Sequence, residues 1–148
     1  MKIIWNVAAG AETRLAMAAA LAVRAGGVDV EFATAFEASA RLLRQNDWPV
    51  TLLDASAMAA VRVDDAAVAD IDRLCPQPGV RFLAFSEARV RRDESQTEPL
   101  YAITARSLMF WRRLLDERRP DALVCWQSAS LATRAPLSAA RSLGIQTL

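Results

Sequence analysis

The chain has 148 residues, of which 53% are hydrophobic and 24% charged, and its formal net charge at pH 7 is +1. A chain of this length can bury roughly two-thirds of its unfolded surface, so one domain with one core is expected. The near-neutral balance lacks the basic excess typical of nucleic-acid binding. Histidine is absent from the sequence, which excludes histidine-based acid–base catalysis and a His-containing zinc site within this chain.

Cysteine content and apolar length indicate where the protein resides. Cys75 and Cys125 are too few for a disulfide framework, so a reducing compartment is expected. The apolar residues 15–23 are fewer than the ~20 that span a bilayer, and they lack the order of a signal peptide. We therefore expect a cytoplasmic protein without a transmembrane span, either free or peripheral at the inner face of the membrane.

The opening residues have the pattern of strand, turn and helix. Residues 2–7 form an apolar run that predicts a first strand, and a tight turn ends at Gly10. A helix is predicted over residues 11–25, with Gly26 and Gly27 as its stop. Its apolar residues recur at helical spacing: Leu15, Ala18, Ala19 and Ala22.

The same rhythm continues to residue 53. Residues 28–33 alternate as a second strand, and Thr34 with Glu37 forms a capping-box match that opens a helix to about Asn46. Residues 50–53 predict a third strand. Strands and helices that alternate with short connections require parallel pairing, so a Rossmann-like half is predicted.

The middle of the chain departs from that order. A short helix is predicted over residues 66–74, because Pro76, Pro78 and Gly79 follow it. Residues 80–85 are an apolar run that fits either a helix or a strand. Residues 87–98 are charged and lack an apolar period, which predicts a surface loop.

A long helix with a broad apolar face follows. Ser95 and Glu98 form a second capping-box match, and Pro99 is tolerated in a first turn. One helical face then carries Leu100, Ile103, Ser107, Phe110, Trp111 and Leu114. Such width suits packing on a sheet on one side and on another helix or a missing domain on the other.

The last 30 residues form a strand–loop–helix–strand pattern. Strands are predicted over residues 122–126 and 145–148, with a helix over about 134–143. The fold prediction is a three-layer α/β domain with a parallel five-stranded sheet of order 3-2-1-4-5. Its buried strand residues are expected to be Ile3, Ile4, Val30, Phe32, Leu52, Leu123 and Val124. Because an apparent strand includes the last residue, we expect the N-terminal part of a longer protein.

The predicted strand order locates a ligand site. The chain reverses direction between the first and fourth strands, and ligands of doubly wound folds bind in the crevice at that switch point. The turn after the first strand and the polar loop after the fourth would flank the crevice. The candidate binding residues are Gly10, Glu12, Thr13, Gln127, Ser128, Ser130 and Arg134. The alternative is that these small residues only form a strand-to-helix turn and cap the last helix.

Other motifs are weaker. The first turn has one Gly where a dinucleotide fingerprint needs three, and no residue pattern predicts a metal site. Asp54 follows the third strand as in phosphorylation receivers, but the acidic pair and the Lys of a receiver have no counterpart. Arg89, Arg91 and Arg92 are nearly balanced by acidic neighbours, which favours a solvated loop. The four tryptophans could stack on sugar rings, but core packing is the better interpretation for most of them.

A family resemblance supplies an activity. Arg119-Pro120-Asp121, an apolar strand to Trp126, a small polar loop and the run from Ala139 to Ile145 resemble the end of the N-terminal domain in capsule polysaccharide biosynthesis proteins of the GT-B glycosyltransferase type. That group includes transferases of 3-deoxy-manno-octulosonic acid. Its opening turn often carries a His that this chain lacks, so the resemblance assigns no catalytic residue.

The resemblance implies an acceptor-side domain. A sugar or glycolipid acceptor would bind at the crevice, where Arg134 could pair with a sugar carboxylate. No cofactor is expected in this chain, since the nucleotide-sugar donor would bind in a missing C-terminal domain packed on residues 100–115. Two alternatives stay open: a stand-alone flavodoxin-like or nucleotide-binding module, and a non-catalytic interaction domain.

Overall fold

A computed structural model describes residues 1–7, 10–53, 58, 63–75, 79–90, 97–126 and 130–148. Among these residues, helices and strands alternate at both ends of the chain, and three consecutive helices are described between them. In chain order the elements are β1 (Lys2–Asn6), α1 (Ala11–Ala25), β2 (Asp29–Thr34), α2 (Glu37–Gln45), β3 (Val50–Leu52), α3 (Asp65–Leu74), α4 (Val80–Val90), α5 (Thr97–Arg118), β4 (Ala122–Cys125), α6 (Leu131–Ser142) and β5 (Gln146–Thr147).

The five strands form one sheet in the order β3-β2-β1-β4-β5, and all neighbouring pairs are parallel. In the central strand Ile3 is paired with Val30 on one side and with Ala122 on the other. The predicted α/β class, the parallel pairing and the strand order are confirmed. The switch point therefore lies between β1 and β4, as the sequence predicted.

Side chains alternate along β1 and supply two cores. Ile3 and Trp5 pack with Phe32 on the face that α1 and α2 cover, whereas Ile4 packs with Leu123 on the face of the later helices. The Phe32 ring lies edge-on to Trp48, with 5.2 Å between centroids. The arrangement is helix, sheet and helix in three layers.

The predicted buried strand residues are mostly correct. Ile3, Ile4, Val30, Phe32 and Leu123 are buried. Leu52 and Val124 are only half-buried, which corrects the prediction. Both lie in strands at or next to an edge of the sheet, where fewer side chains cover them.

Helix α1 has the predicted bounds but buries another face than its spacing indicated. Gly10 precedes it at φ 61°, a conformation that L side chains rarely adopt, and the helix stops at Gly26. Its buried residues are Thr13, Ala16 and Ala20, whereas Leu15 is 57% exposed. Small side chains on the inner face let the helix approach the sheet closely.

The capping box predicted at Thr34 is wrong. Thr34 is the last residue of β2, and α2 begins at Glu37 after Phe36, whose backbone is extended. The Thr34 hydroxyl instead accepts a hydrogen bond from the Phe36 backbone N–H at 3.2 Å. It shapes the turn between strand and helix rather than the first turn of the helix.

The middle of the chain is more helical than predicted. Helix α3 forms as expected, and the Asp64 carboxylate caps it by accepting from the Ala67 N–H at 2.8 Å. The ambiguous run is a helix, α4, that continues to Val90. The surface-loop prediction is therefore wrong over residues 87–90, where Glu87 and Ala88 are buried. Asp54 and residues 91–96 lie outside the described part of the chain, as do the side chains of the arginine cluster.

Helix α5 buries its broad face within this chain. It begins at Thr97, so Pro99 lies in its first turn as predicted. Leu108, Trp111 and Leu115 are buried in the core that α3, α4 and α6 share with it. Ile103 remains 44% exposed on this helix. A further domain packed on α5 stays a prediction. No helix among the described residues has both the length and the apolar character that a membrane crossing requires.

The C-terminal elements are shifted slightly from their predicted bounds. Strand β4 ends at Cys125, so Trp126 lies outside it and is 47% exposed, while the other three tryptophans are buried. Helix α6 begins at Leu131 and contains Pro136. The last strand, β5, covers Gln146–Thr147.

Candidate functional site

A cleft of about 310 Å³ opens at the carboxyl end of the sheet. It lies beside the switch point, where β1 ends and α6 begins. Such a crevice is the usual ligand position in open α/β sheets. The described residues that line it are Asn6, Val7, Ala35, Phe36, Leu53, Met58, Glu87, Ile103, Ser107, Trp111, Ser130, Leu131 and Ala132.

Asn6 holds one wall of the cleft through a carbonyl that a proline leaves free. Pro136 has no backbone N–H, so the Ala132 carbonyl, four residues earlier, lacks its helical donor. The Asn6 side-chain amide donates to that carbonyl at 3.0 Å. Asn6 is the last residue of β1 and is 4% exposed, so the contact joins the central strand to the first turn of α6.

Glu87 also lines the cleft and caps α6 from another helix. Its Oε2 accepts a hydrogen bond from the Leu131 backbone N–H at 2.7 Å, and the residue is 7% exposed. Ser130 occupies the N-cap position but its side chain makes no capping bond. A carboxylate at a helix N-terminus is favoured by the unpaired N–H groups and by the helix dipole. Glu87 therefore replaces the usual local cap.

The rest of the lining is mainly apolar. Trp111 is 1% exposed and belongs to the core beneath the cleft, whereas Phe36 and Ile103 are 42% and 44% exposed. The latter two offer apolar surface that a ligand could cover. Polar groups are contributed by Asn6, Glu87, Ser107 and Ser130, which gives a mostly apolar cavity with a few fixed hydrogen-bonding groups.

The predicted binding residues of the first turn lie apart from this cleft. Gly10 and Thr13 line a second hollow between α1 and α2. The Thr13 hydroxyl is fully buried and donates to Ser39 Oγ at 2.9 Å, so it serves helix packing. Glu12 is half-buried, and its Oε1 has no hydrogen-bond partner among the described residues.

The predicted residues of the second loop are divided. Ser130 lines the cleft. Arg134 is not among the described lining residues: its Nη1 donates to Ser86 Oγ, and its guanidinium carbon lies 5.9 Å from the centroid of the Phe82 ring. Its side chain thus joins α6 to α4. Gln127 and Ser128 lie outside the described residues.

Cys125 stands next to Asn6 at the end of β4, and its environment makes it unreactive. Burial raises the pKa of this thiol to about 12, and the nearby Glu12 charge adds to the increase. The Asn6 amide, 3.8 Å from the sulfur, acts in the opposite direction. At neutral pH the side chain is a thiol, so it has little nucleophilic character. Within the described ranges, no group of three or more His, Cys, Asp or Glu side chains could hold a metal ion.

Of the described residues that line the cleft, the sequence pattern named Ser130 alone as a binding residue, and it missed Asn6, Phe36, Glu87, Ile103 and Ser107 among the others. The position of Glu87, three residues after Ala84 on the buried side of α4, is a signal that helical periodicity could have given. Phe36 and Ile103 come from segments far apart in sequence, and nothing in their local sequence marks either as part of a ligand site.

Comparison of the chain with protein families, curated proteins and solved structures found no match.

Proposed function

We propose that this chain is the acceptor-side domain of a bacterial glycosyltransferase of capsule or surface polysaccharide biosynthesis, and that a sugar-containing acceptor binds in the cleft between β1 and α6. One observation carries the proposal: a cleft with apolar walls and a few fixed polar groups lies at the switch point of a Rossmann-like sheet. The resemblance of residues 119–148 to such transferases supplies the reaction class.

The chemistry of a sugar matches this lining. A pyranose ring has an apolar C–H face and a rim of hydroxyl groups. The exposed surfaces of Phe36 and Ile103 suit the ring face, and the hydroxyl groups of Ser107 and Ser130 can form hydrogen bonds with those of the sugar. The volume of about 310 Å³ falls at the lower end of small-molecule sites, which suits one terminal sugar of a larger acceptor.

The proposal assigns the nucleotide-sugar donor to a second domain. The turn before α1 contains a single glycine, Gly10, and one Gly does not make a dinucleotide fingerprint. The chain alone, incubated with a nucleotide sugar and a glycolipid acceptor, is therefore expected to transfer no sugar. Sugar transfer by the purified chain would contradict the assignment of the donor site to a second domain.

Sugar binding by the purified chain tests the proposal directly. Neutral mono- and disaccharides are titrated into isotope-labelled protein, and backbone amide shifts at Val7, Ser130 and Ala132 are followed. Phe36→Ala is expected to weaken binding about tenfold, the loss typical of one aromatic anchor. Phe82→Ala is the matched control. Phe82 is exposed on α4 and is not one of the described residues that line the cleft.

Two outcomes would count against the proposal. If no sugar shifts the amides of the cleft, the chain is not an acceptor domain of this kind. If Phe36→Ala and Phe82→Ala weaken binding equally, the sugar binds elsewhere.

A further inference from the structure

Three residues of α5 line the cleft at successive turns of the helix. Ile103, Ser107 and Trp111 are spaced four residues apart, so their side chains form one stripe along α5. The exposed fraction falls along this stripe from 44% to 6% to 1%. The stripe therefore runs from the rim of the cleft to its floor, and Ser107 lies four residues, or about 6 Å, below the rim.

Ser107 places a hydroxyl group between two large apolar side chains of the stripe. This hydroxyl makes no hydrogen bond with the residues that the structure describes, and its oxygen is not one of the fully enclosed atoms that lack a partner. The oxygen therefore keeps access to the cleft. A buried hydroxyl is unfavourable unless water or a ligand pairs with it, so Ser107 points to a ligand group that forms a hydrogen bond in the lower part of the cleft.

We infer that Ser107 is a specificity-determining residue that selects a terminal hexose with a primary hydroxyl at C6 over the corresponding 6-deoxy sugar. The inference rests on the proposed function and narrows its substrate class. A sugar ring placed on the exposed surfaces of Phe36 and Ile103 lies at the rim. Its hydroxymethyl group, with a hydrogen bond of about 2.8 Å, spans most of the distance to Ser107, whereas a hydroxyl attached to the ring reaches one bond less far.

A 6-deoxy sugar would place a methyl group against the Ser107 hydroxyl. The methyl group would displace water from that hydroxyl but would offer neither a donor nor an acceptor in return. A site that forms a hydrogen bond with a ligand hydroxyl rejects the analogue that lacks it, because the protein group is then left unpaired. The position of Ser107 below the rim makes this loss greater than it would be on the surface.

Matched sugar pairs test the inference. D-Galactose is compared with 6-deoxy-D-galactose, and D-glucose with 6-deoxy-D-glucose, by the same amide-shift titration. In the wild-type protein the sugar with the primary hydroxyl is expected to bind about tenfold more tightly in each pair. Ser107→Ala should reduce this ratio to one or below, because the alanine methyl group favours the deoxy sugar. Thr104→Val is the matched control. It removes a hydroxyl from the same helix, but Thr104 is fully buried and its Oγ1 is enclosed, so the ratio should not change.

The comparison within the wild-type protein does not depend on a variant that folds. Equal affinities within each pair, or tighter binding of the deoxy sugar, would overturn the inference and leave the proposed function standing. An unchanged ratio in folded Ser107→Ala would also overturn it, because another group would then recognise the hydroxyl. If none of the four sugars binds, the proposed function fails and this inference fails with it.

Discussion

Replacing Glu87 by Ala should destabilise the protein strongly, although the sequence pattern placed this residue in a solvated loop. The substitution removes the 2.7 Å hydrogen bond from the Leu131 N–H and leaves that N–H without its partner at the start of α6. Leu131 and Glu87 are 8% and 7% exposed, so this hydrogen bond is largely shielded from water in the folded protein. A hydrogen bond to a charged group contributes about 1.5 to 3 kcal/mol, and the N–H left unpaired places this case in the upper half of that range.

The expected loss in the free energy of unfolding is therefore about 2 to 3 kcal/mol. For a domain of this size that corresponds to a decrease in Tm of roughly 4 to 12 °C. With an m-value of about 2 kcal/mol/M, the urea midpoint would fall by about 1 to 1.5 M. Glu87→Gln should lie between the wild type and Glu87→Ala, because it keeps a neutral hydrogen bond in place of a charged one.

Urea unfolding followed by far-UV circular dichroism measures all three proteins. Glu117→Ala is the control, since it removes an exposed carboxylate that pairs with Arg113 at 2.7 Å on the surface of α5. Its midpoint should match that of the wild type. If Glu87→Ala unfolds at the same urea concentration as Glu117→Ala, Glu87 does not cap α6.

Two further predictions concern Cys125 and helix α1. The pKa of the Cys125 thiol is raised from 9.0 to about 12, so the folded state keeps its proton longer than the unfolded state. The stabilising contribution is thus complete below pH 9 and is lost between pH 9 and 12, by about 1.4 kcal/mol per pH unit relative to Cys125→Ala. Equal pH dependence of urea unfolding in the two proteins would contradict it. On α1, Leu15→Ala should change stability by less than about 0.5 kcal/mol, whereas Ala16→Leu should cost about 1 to 3 kcal/mol by overpacking. The opposite order would show that the buried face is misassigned.

Glycines at helix ends and short apolar runs made much of the fold predictable. Gly10 and Gly26 bracket α1, and short apolar runs mark β1, β2 and β4, so the order of elements and the parallel sheet followed from the sequence. The burial face of α1 did not follow. Alanine occurs on both sides of this helix, and the larger Leu15 faces solvent because the close contact with the sheet excludes it.

The cleft was harder to predict because its residues are linked only by tertiary structure. In α4 the buried positions Val80, Leu83, Ala84, Glu87 and Ala88 have helical spacing, but a carboxylate among them resembles a break in the apolar pattern. Its hydrogen-bond partner, Leu131, lies 44 residues further along the chain. The predicted site lies at the same edge of the sheet as the cleft and shares Ser130 with its lining, but local sequence could not show that Thr13 pairs with Ser39 or that Arg134 contacts α4.

The central position of β1 has a consequence for synthesis of the protein on the ribosome. Ile3 pairs with Val30, 27 residues later, but its other neighbour is Ala122, 119 residues later. At about 5 to 20 residues per second, roughly 6 to 24 s pass between the synthesis of β1 and that of β4. During that interval one edge of an apolar strand has no partner and can pair with another nascent chain. Chains that stall before residue 122 should therefore be the aggregation-prone form of this protein, and a chaperone that binds short apolar segments would act on residues 2–7 first.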